Sequence, residues 1–290
     1  MKTPLLSFAL FCSAAALPSQ VPLSTDEALK QLYHDYNPAK KTAQWVCTKE
    51  QQSEGMHPGW PCSEEDTTVS VSVIIRTQVT EGDATRVYLA TSAKPAPDSE
   101  GEYNCHVCAP ATGAAVFVWQ GQSWKLESAN PAIGFWGGWG DPPDVSLVAV
   151  GPERHGLLLS STDLAQGFSS SFKQLLLPLG KSVEEVWSIE DENDDLGAID
   201  PDDRLNKRVP YRSSAAFRFL TGDDGSASPD RQGDYYDIEV ISRGYDREDF
   251  GHPIKAQNWT EIYTFKDGKY KLVRRTAFTE VKKAEEVKRK

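Results

Sequence analysis

Basic residues are in short supply. Lysine and arginine number 31 against 42 acidic residues, a formal net charge of −11 over 290 residues. Neutralising a phosphate backbone needs clustered Lys and Arg, so nucleic acid is excluded as a partner. The basic run near the end, Lys282 to Lys290, is interleaved with Glu285 and Glu286 and reads as a solvated polar tail, residues 279–290. Long apolar runs are also missing. Beyond the first residues no stretch approaches the ~20 that a membrane-spanning helix needs, so no span is expected in the mature chain. The histidines are His34, His57, His106, His155 and His252, and the chain has neither a Gly-x-Ser-x-Gly elbow nor a His-Glu-x-x-His helix. Paired carboxylates for glycoside cleavage can be assembled in space from so many acids, but spacing selects no two of them.

The first residues set the compartment. Lys2 precedes the apolar Leu5, Leu6, Phe8, Ala9, Leu10 and Phe11, and Ala14, Ala15 and Ala16 follow. That order is the plan of a secretory signal peptide, residues 1–16, with cleavage after Ala16. A soluble periplasmic or secreted protein is expected. Cys12 leaves with the signal, and Cys47, Cys62, Cys105 and Cys108 remain. An even count in an exported chain implies disulfides, with three pairings open. A bond between Cys47 and Cys62 would close a modest loop, and one between Cys105 and Cys108 a tight ring. Cys-His-Val-Cys also admits a redox reading, since His106 lowers the pKa of a neighbouring thiolate. Redox pairs of this spacing open a helix, however, and here Pro110, Gly113 and a strand-like run follow. Zinc would need two further ligands at matching spacing. A structural disulfide is therefore preferred over redox or metal chemistry.

Past the signal, Ala28, Leu29, Leu32, Tyr33 and Tyr36 fit one helical face, opened by a Ser24/Glu27 capping box and stopped by Pro38. This helix and the Cys47–Cys62 loop make up residues 17–66. Strand signals then dominate. Val69, Val71 and Val73 alternate with serines, and apolar runs follow at 87–89, 116–119, 123–126, 147–150, 157–159, 171–177, 186–189, 215–219 and 237–241. FVWQGQSWKL (117–126) aligns without a gap to YTFKDGKYKL (263–272), and each reads as a hairpin with aromatics paired across its strands. The fold class expected is mainly β, a hairpin-rich sandwich or propeller-like architecture with a short N-terminal helix. Two β lobes, 67–190 and 204–278, would be divided by the acidic, proline-containing stretch between them.

Two surfaces stand out. GFWGGWGDPP (134–143) places Phe135, Trp136 and Trp139 among glycines on a pliable loop, with Asp141 beside them. Such a loop binds sugar faces or proteins if the rings protrude, and plugs a sheet end if they fold back. EDENDDLGAIDPDD (190–203) offers Asp191, Asn193, Asp195 and Asp200 as oxygen ligands for calcium, although Gly197 falls one residue late for an EF-hand and no Glu closes the loop. A solvated acidic loop is its other reading.

DRQGDYYDIEV (230–240) resembles the calcium-type loops of FG-GAP or VCBS-like hairpin repeats, with Gln232 where asparagine is usual. That likeness implies stacked hairpins and binding rather than catalysis. The Cys105-to-Pro110 segment, the Trp119/Trp124 hairpin and the Gly138-to-Gly140 loop together resemble a group of exported bacterial proteins; the likeness implies export and supplies no activity. The function expected is an exported, non-enzymatic binding module for a protein or cell-envelope glycan, possible roles including inhibition of a periplasmic enzyme or toxin. A hydrolase of envelope polymers and a thiol-disulfide oxidoreductase at Cys105/Cys108 are the alternatives. No cofactor beyond calcium is expected.

Overall fold

A computed structural model describes residues 21–45, 67–97, 103–198, 212–222, 234–246, 255–256 and 258–278. The signal stretch, Cys47, Cys62, Asp200 and the polar tail lie outside the described residues.

The described residues are mainly β with one short helix preceding the strands. Helix α1 (Thr25–Leu32) begins where Ser24 accepts a hydrogen bond from the Glu27 amide at 3.2 Å, the capping arrangement the spacing predicts. It ends at Leu32, six residues short of Pro38, because Tyr33 turns to extended backbone and its N–H caps the Leu29 carbonyl. Ala28, Leu29, Leu32, Tyr33 and Tyr36 are all buried.

Among the described residues, the strands form two antiparallel sheets in which consecutive strands pair. The first contains β1 (Thr42–Trp45), β2 (Thr67–Glu81), β3 (Ala84–Pro95), β4 (Ala111–Gln120) and β5 (Ser123–Phe135), in that order. The second runs β6 (Asp144–Gly151), β7 (Arg154–Ala165), β8 (Phe168–Leu179), β9 (Ser182–Asp194), β10 (Arg212–Leu220), β11 (Asp237–Asp246), β13 (Trp259–Lys266) and β14 (Lys269–Ala277), with the two-residue β12 (Lys255–Ala256) beside β11. This is the sandwich form of the expected class.

Both predicted hairpins are present. Trp119 faces Trp124 across β4–β5 and Phe265 faces Tyr270 across β13–β14, each pair with ring centroids 5.3 Å apart. Asp267 and Gly268 both have positive φ, which matches the twist of the strands they join.

The break between sheets falls between β5 and β6, not in residues 190–203. Arg212, Ser213 and Ser214 of β10 pair with Asp194, Asn193 and Glu192 of β9, so one sheet continues across the acidic stretch. Glu190 through Asp194 are strand, paired also with β8, rather than loop.

Three apolar clusters explain the layering. One face of the first sheet buries Val69, Val71, Leu89 and Phe117 under α1. Its other face puts Tyr88, Ala90, Ala114 and Val116 against Leu157, Leu159, Leu176 and Val183 of the second sheet. The middle strands β3 and β4 are thus covered on both sides, and they read as near-continuous small and apolar residues instead of alternating. The second sheet curls until β14 approaches β9, enclosing Leu175, Leu177, Trp187, Ile238, Val240 and Tyr270. Strand β8 therefore sends Leu176 to one core and Leu175 and Leu177 to the other. The sheets are tied along β5 as well, where Ala129 N–H and the Ser128 hydroxyl donate to the carbonyls of Lys181 and Gly180 at 3.0 and 2.8 Å.

Candidate functional site

The β meander brings strand ends together at two opposite poles of the sandwich, and each pole carries a cleft. The first pole gathers the start of β4, the ends of β5 and β7, and the start of β8. Here Cys105 and Cys108 are joined, with S–S 2.09 Å and Cα–Cα 4.8 Å. Cys105 is exposed and Cys108 buried. The ring does not open a helix; its carbonyls hold the Gly-Trp-Gly loop instead. Trp139 N–H donates to the Cys105 carbonyl at 3.1 Å, and Gly140 N–H to the Cys108 carbonyl at 2.8 Å. Gly138 and Asp141 exchange backbone hydrogen bonds in both directions.

The loop is clamped rather than pliable, and its glycines serve close approach. Gly140 has φ +76°, and a Cβ there would meet the Tyr103 carbonyl oxygen at 2.2 Å. At Gly137, φ is +101° and a Cβ would lie 2.0 Å from the Asp141 carbonyl oxygen. No other residue type fits this backbone path.

The three aromatics divide. Phe135 packs on the core beneath α1, and Trp136 on the core between the sheets. Trp139 points out with 58% of its surface exposed, at φ +56°. His106 meets its ring edge-on at 5.5 Å between centroids. The Nε2 of His106 contacts the Leu164 carbonyl. Asp163 lies 3.6 Å from the same nitrogen. Val107 and Leu164 are also exposed, giving an apolar patch around Trp139. Asp141 is exposed at the foot of the loop. Beside the patch a cleft of about 350 Å³ runs inward between the sheets, lined by Val107, Phe135, Trp136, Asp163, Phe172 and Gln174 among others.

The opposite pole gathers the end of β2, the starts of β3 and β7, and the β8–β9 turn around a cleft of about 540 Å³. Spacing gave no signal for it. Glu81 is buried at its floor and accepts hydrogen bonds from Arg86 Nη1 (3.2 Å), the Tyr88 hydroxyl (2.9 Å), and the backbone N–H and Nδ1 of His155 (2.9 and 2.8 Å). Arg86 forks onto Glu127 at 2.8 and 3.0 Å. Burial, then the Glu81 charge, push the Tyr88 phenol far above its ordinary range, so it stays a donor. Arg154 pairs with Asp234 at 2.7 Å and lies over the Tyr235 ring. Each carboxylate that could serve a hydrolase here is already matched by a cation, apart from Glu153 at the rim.

The proposed calcium ligands are dispersed along β9. Asp191 pairs with Lys173 at 3.3 Å, Asn193 donates to Glu190 at 2.7 Å, and Asp195 is buried past the strand end. Among the described residues no three His, Cys, Asp or Glu side chains gather as a metal would require. Likewise, among them no helix is long and apolar enough to cross a membrane.

The class these features define is a two-sheet, mainly-β protein with a disulfide-clamped aromatic loop at one pole. No protein-family model, curated protein or solved structure matches this chain.

Proposed function

We propose that the protein is an exported, non-enzymatic binding module whose working face is the Trp139 pole. The observation that carries this reading is Trp139: a large exposed aromatic on a loop whose Trp139 and Gly140 amides are bonded to the two ring cysteines, in a region where Phe135 and Trp136 are folded inward. Such a side chain loses solvent when a partner covers it and has little freedom left to lose, which is how aromatic anchors gain affinity. A protein partner suits the patch better than a glycan. His106 meets the indole edge-on, and the exposed Val107 and Leu164 adjoin His106, one next to it in the chain and the other in contact with its ring through the Leu164 carbonyl, where a sugar platform needs a free ring face ringed by hydrogen-bonding groups. Oxidised Cys105 and Cys108 and the residue 1–16 pattern support export.

The test is selection of ligands for the mature chain from a peptide-display library and a glycan array, followed by rebinding to Trp139→Ala. The expected result is a peptide ligand whose affinity falls tenfold or more in the variant while the melting temperature holds. A ligand set indifferent to Trp139 overturns the reading, and glycan hits that depend on Trp139 move the partner class to the envelope polymer.

A second reading has one observation behind it. An exposed Cys105 before a buried Cys108 is the order of attacking and resolving thiols in disulfide exchange. Turnover of a model disulfide by the reduced protein, lost in Cys105→Ser, is what this reading requires.

A further inference from the structure

The cleft beside Trp139 contains a group that the fold leaves unmatched. Gln174 has 6% of its surface exposed, and its side-chain oxygen has no hydrogen-bond partner. Its position explains why. On β7 and β8 the pairs Leu157/Leu176, Leu159/Gln174 and Ser161/Phe172 face the first sheet in succession. The row therefore runs from core leucine, through Gln174, to Phe172 near the mouth. A leucine at 174 would continue the core and leave nothing unsatisfied, and buried acceptors are normally matched. The oxygen as it stands is closed to solvent, but neither end of the amide is hydrogen-bonded within the fold, so a half-turn of the amide presents the acceptor to a donor brought in from outside.

The walls specify the rest of the ligand. Phe135, Trp136, Phe172 and Val107 make them apolar and largely aromatic. At the rim stands the Asp163 carboxylate, 65% exposed, whose one charge partner among the described residues is the His106 ring at 3.6 Å. Aromatic walls, an amide acceptor at the floor and a carboxylate at the mouth suit a flat cation with several N–H donors. A guanidinium stacks on rings and donates in its plane, which a compact ammonium does less well. A net charge of −11 favours a basic partner at longer range.

We infer that this cleft receives an arginine side chain from a basic partner protein, with Gln174 accepting from the guanidinium at the floor and Asp163 balancing its charge at the mouth. The inference rests on the binding reading above and names its partner's chemistry: Trp139 supplies the surface anchor and the cleft selects arginine.

The experiment is a titration of the isotope-labelled mature protein with argininamide, its neutral isostere citrullinamide, and lysinamide, followed by NMR. Argininamide should shift the Gln174 side-chain amide and the Trp136 indole N–H saturably, with citrullinamide and lysinamide each at least fivefold weaker. Gln174→Leu should weaken argininamide fivefold or more without lowering the melting temperature, and the surface change Asp163→Asn should also weaken it. Equal binding of citrullinamide overturns the charge assignment, and equal binding of lysinamide overturns the guanidinium assignment. Unchanged affinity in Gln174→Leu, or in Asp163→Asn should the first variant not fold, overturns the site. The two proposals can fail separately. If display ligands need Trp139 but argininamide does not bind, the cleft assignment falls and the binding face stands. If argininamide binds but no ligand depends on Trp139, the wider reading falls.

Discussion

The two poles of the sandwich are built from the same kind of strand ends and are finished in opposite ways. At the Glu81 pole the buried charges and donors meet one another: one carboxylate takes four hydrogen bonds, and its arginine is forked onto a second carboxylate. At the Trp139 pole the backbone is equally well tied, yet an indole, two aliphatic side chains and a buried amide oxygen are left over. A satisfied polar network in a low-dielectric interior holds parts of a fold in place. Unsatisfied and exposed groups, held on fixed backbone, are what a ligand can complete. Density of ionisable residues alone points to the Glu81 pole, yet structural ion networks gather charge as readily as sites do.

The contrast is sharpest where the largest effect is expected. Glu81→Ala strips partners from a partly buried arginine, a buried tyrosine and a histidine that joins the sheets; breaking such an arrangement costs about 3–5 kcal/mol. Urea denaturation should show that loss with no effect on ligands of the Trp139 pole, and a loss under 1 kcal/mol would break the comparison. Trp136→Ala removes a ring half-buried in the inter-sheet core, for which about 2–3 kcal/mol is expected, below the 3–5 kcal/mol of a fully buried aromatic. Trp139→Ala, three residues further on and exposed, should change stability by less than about 0.5 kcal/mol. Measuring both by thermal unfolding separates the plugging indole from the presenting one.

Alkaline titration gives a smaller, graded comparison. Burial pushes the Tyr103 phenol up to about 12, and its hydroxyl donates to the Ala109 carbonyl at 3.1 Å beside the disulfide ring. An unfolded tyrosine ionises near 10, so between about pH 10 and 12 the unfolded chain gives up this proton first. The stabilisation is whole below about pH 10 and gone above about 12. Unfolding free energy should fall across that window, less steeply in Tyr103→Phe. An identical slope in the variant would remove Tyr103 as a cause.

What was legible in the sequence was local. Period-two alternation placed the core of β2, apolar runs those of β4, β8 and β11, and the aromatic spacing of 117–126 and 263–272 identified two hairpins, because residue neighbours and short turns determine those features. Strand length was less legible: β2 runs 15 residues and β5 passes through Pro131, since pairing with a neighbour extends a strand beyond its own propensity. The candidate site was legible in pieces. Cys105, Cys108, Phe135, Trp136 and Trp139 each drew notice, but nothing along the chain joins the ring to the loop some thirty residues on, or splits three neighbouring aromatics into two inward and one outward. Gln174 drew none, lying in a strand between Lys173 and Leu175. Glu81 and His155, 74 residues apart, meet only because two sheets pack.

Composition and pattern by themselves determined that this chain builds antiparallel sheets with a capped helix ahead of them, and that it carries a net negative charge. Those outcomes depend on turn chemistry, side-chain alternation and net charge, which act over a few residues or over the whole surface at once. Only the tertiary structure decided which polar groups were matched and which aromatic stayed in water. Hydrogen-bond satisfaction and burial are properties of the groups that folding brings together, and those groups come from strands far apart in the chain.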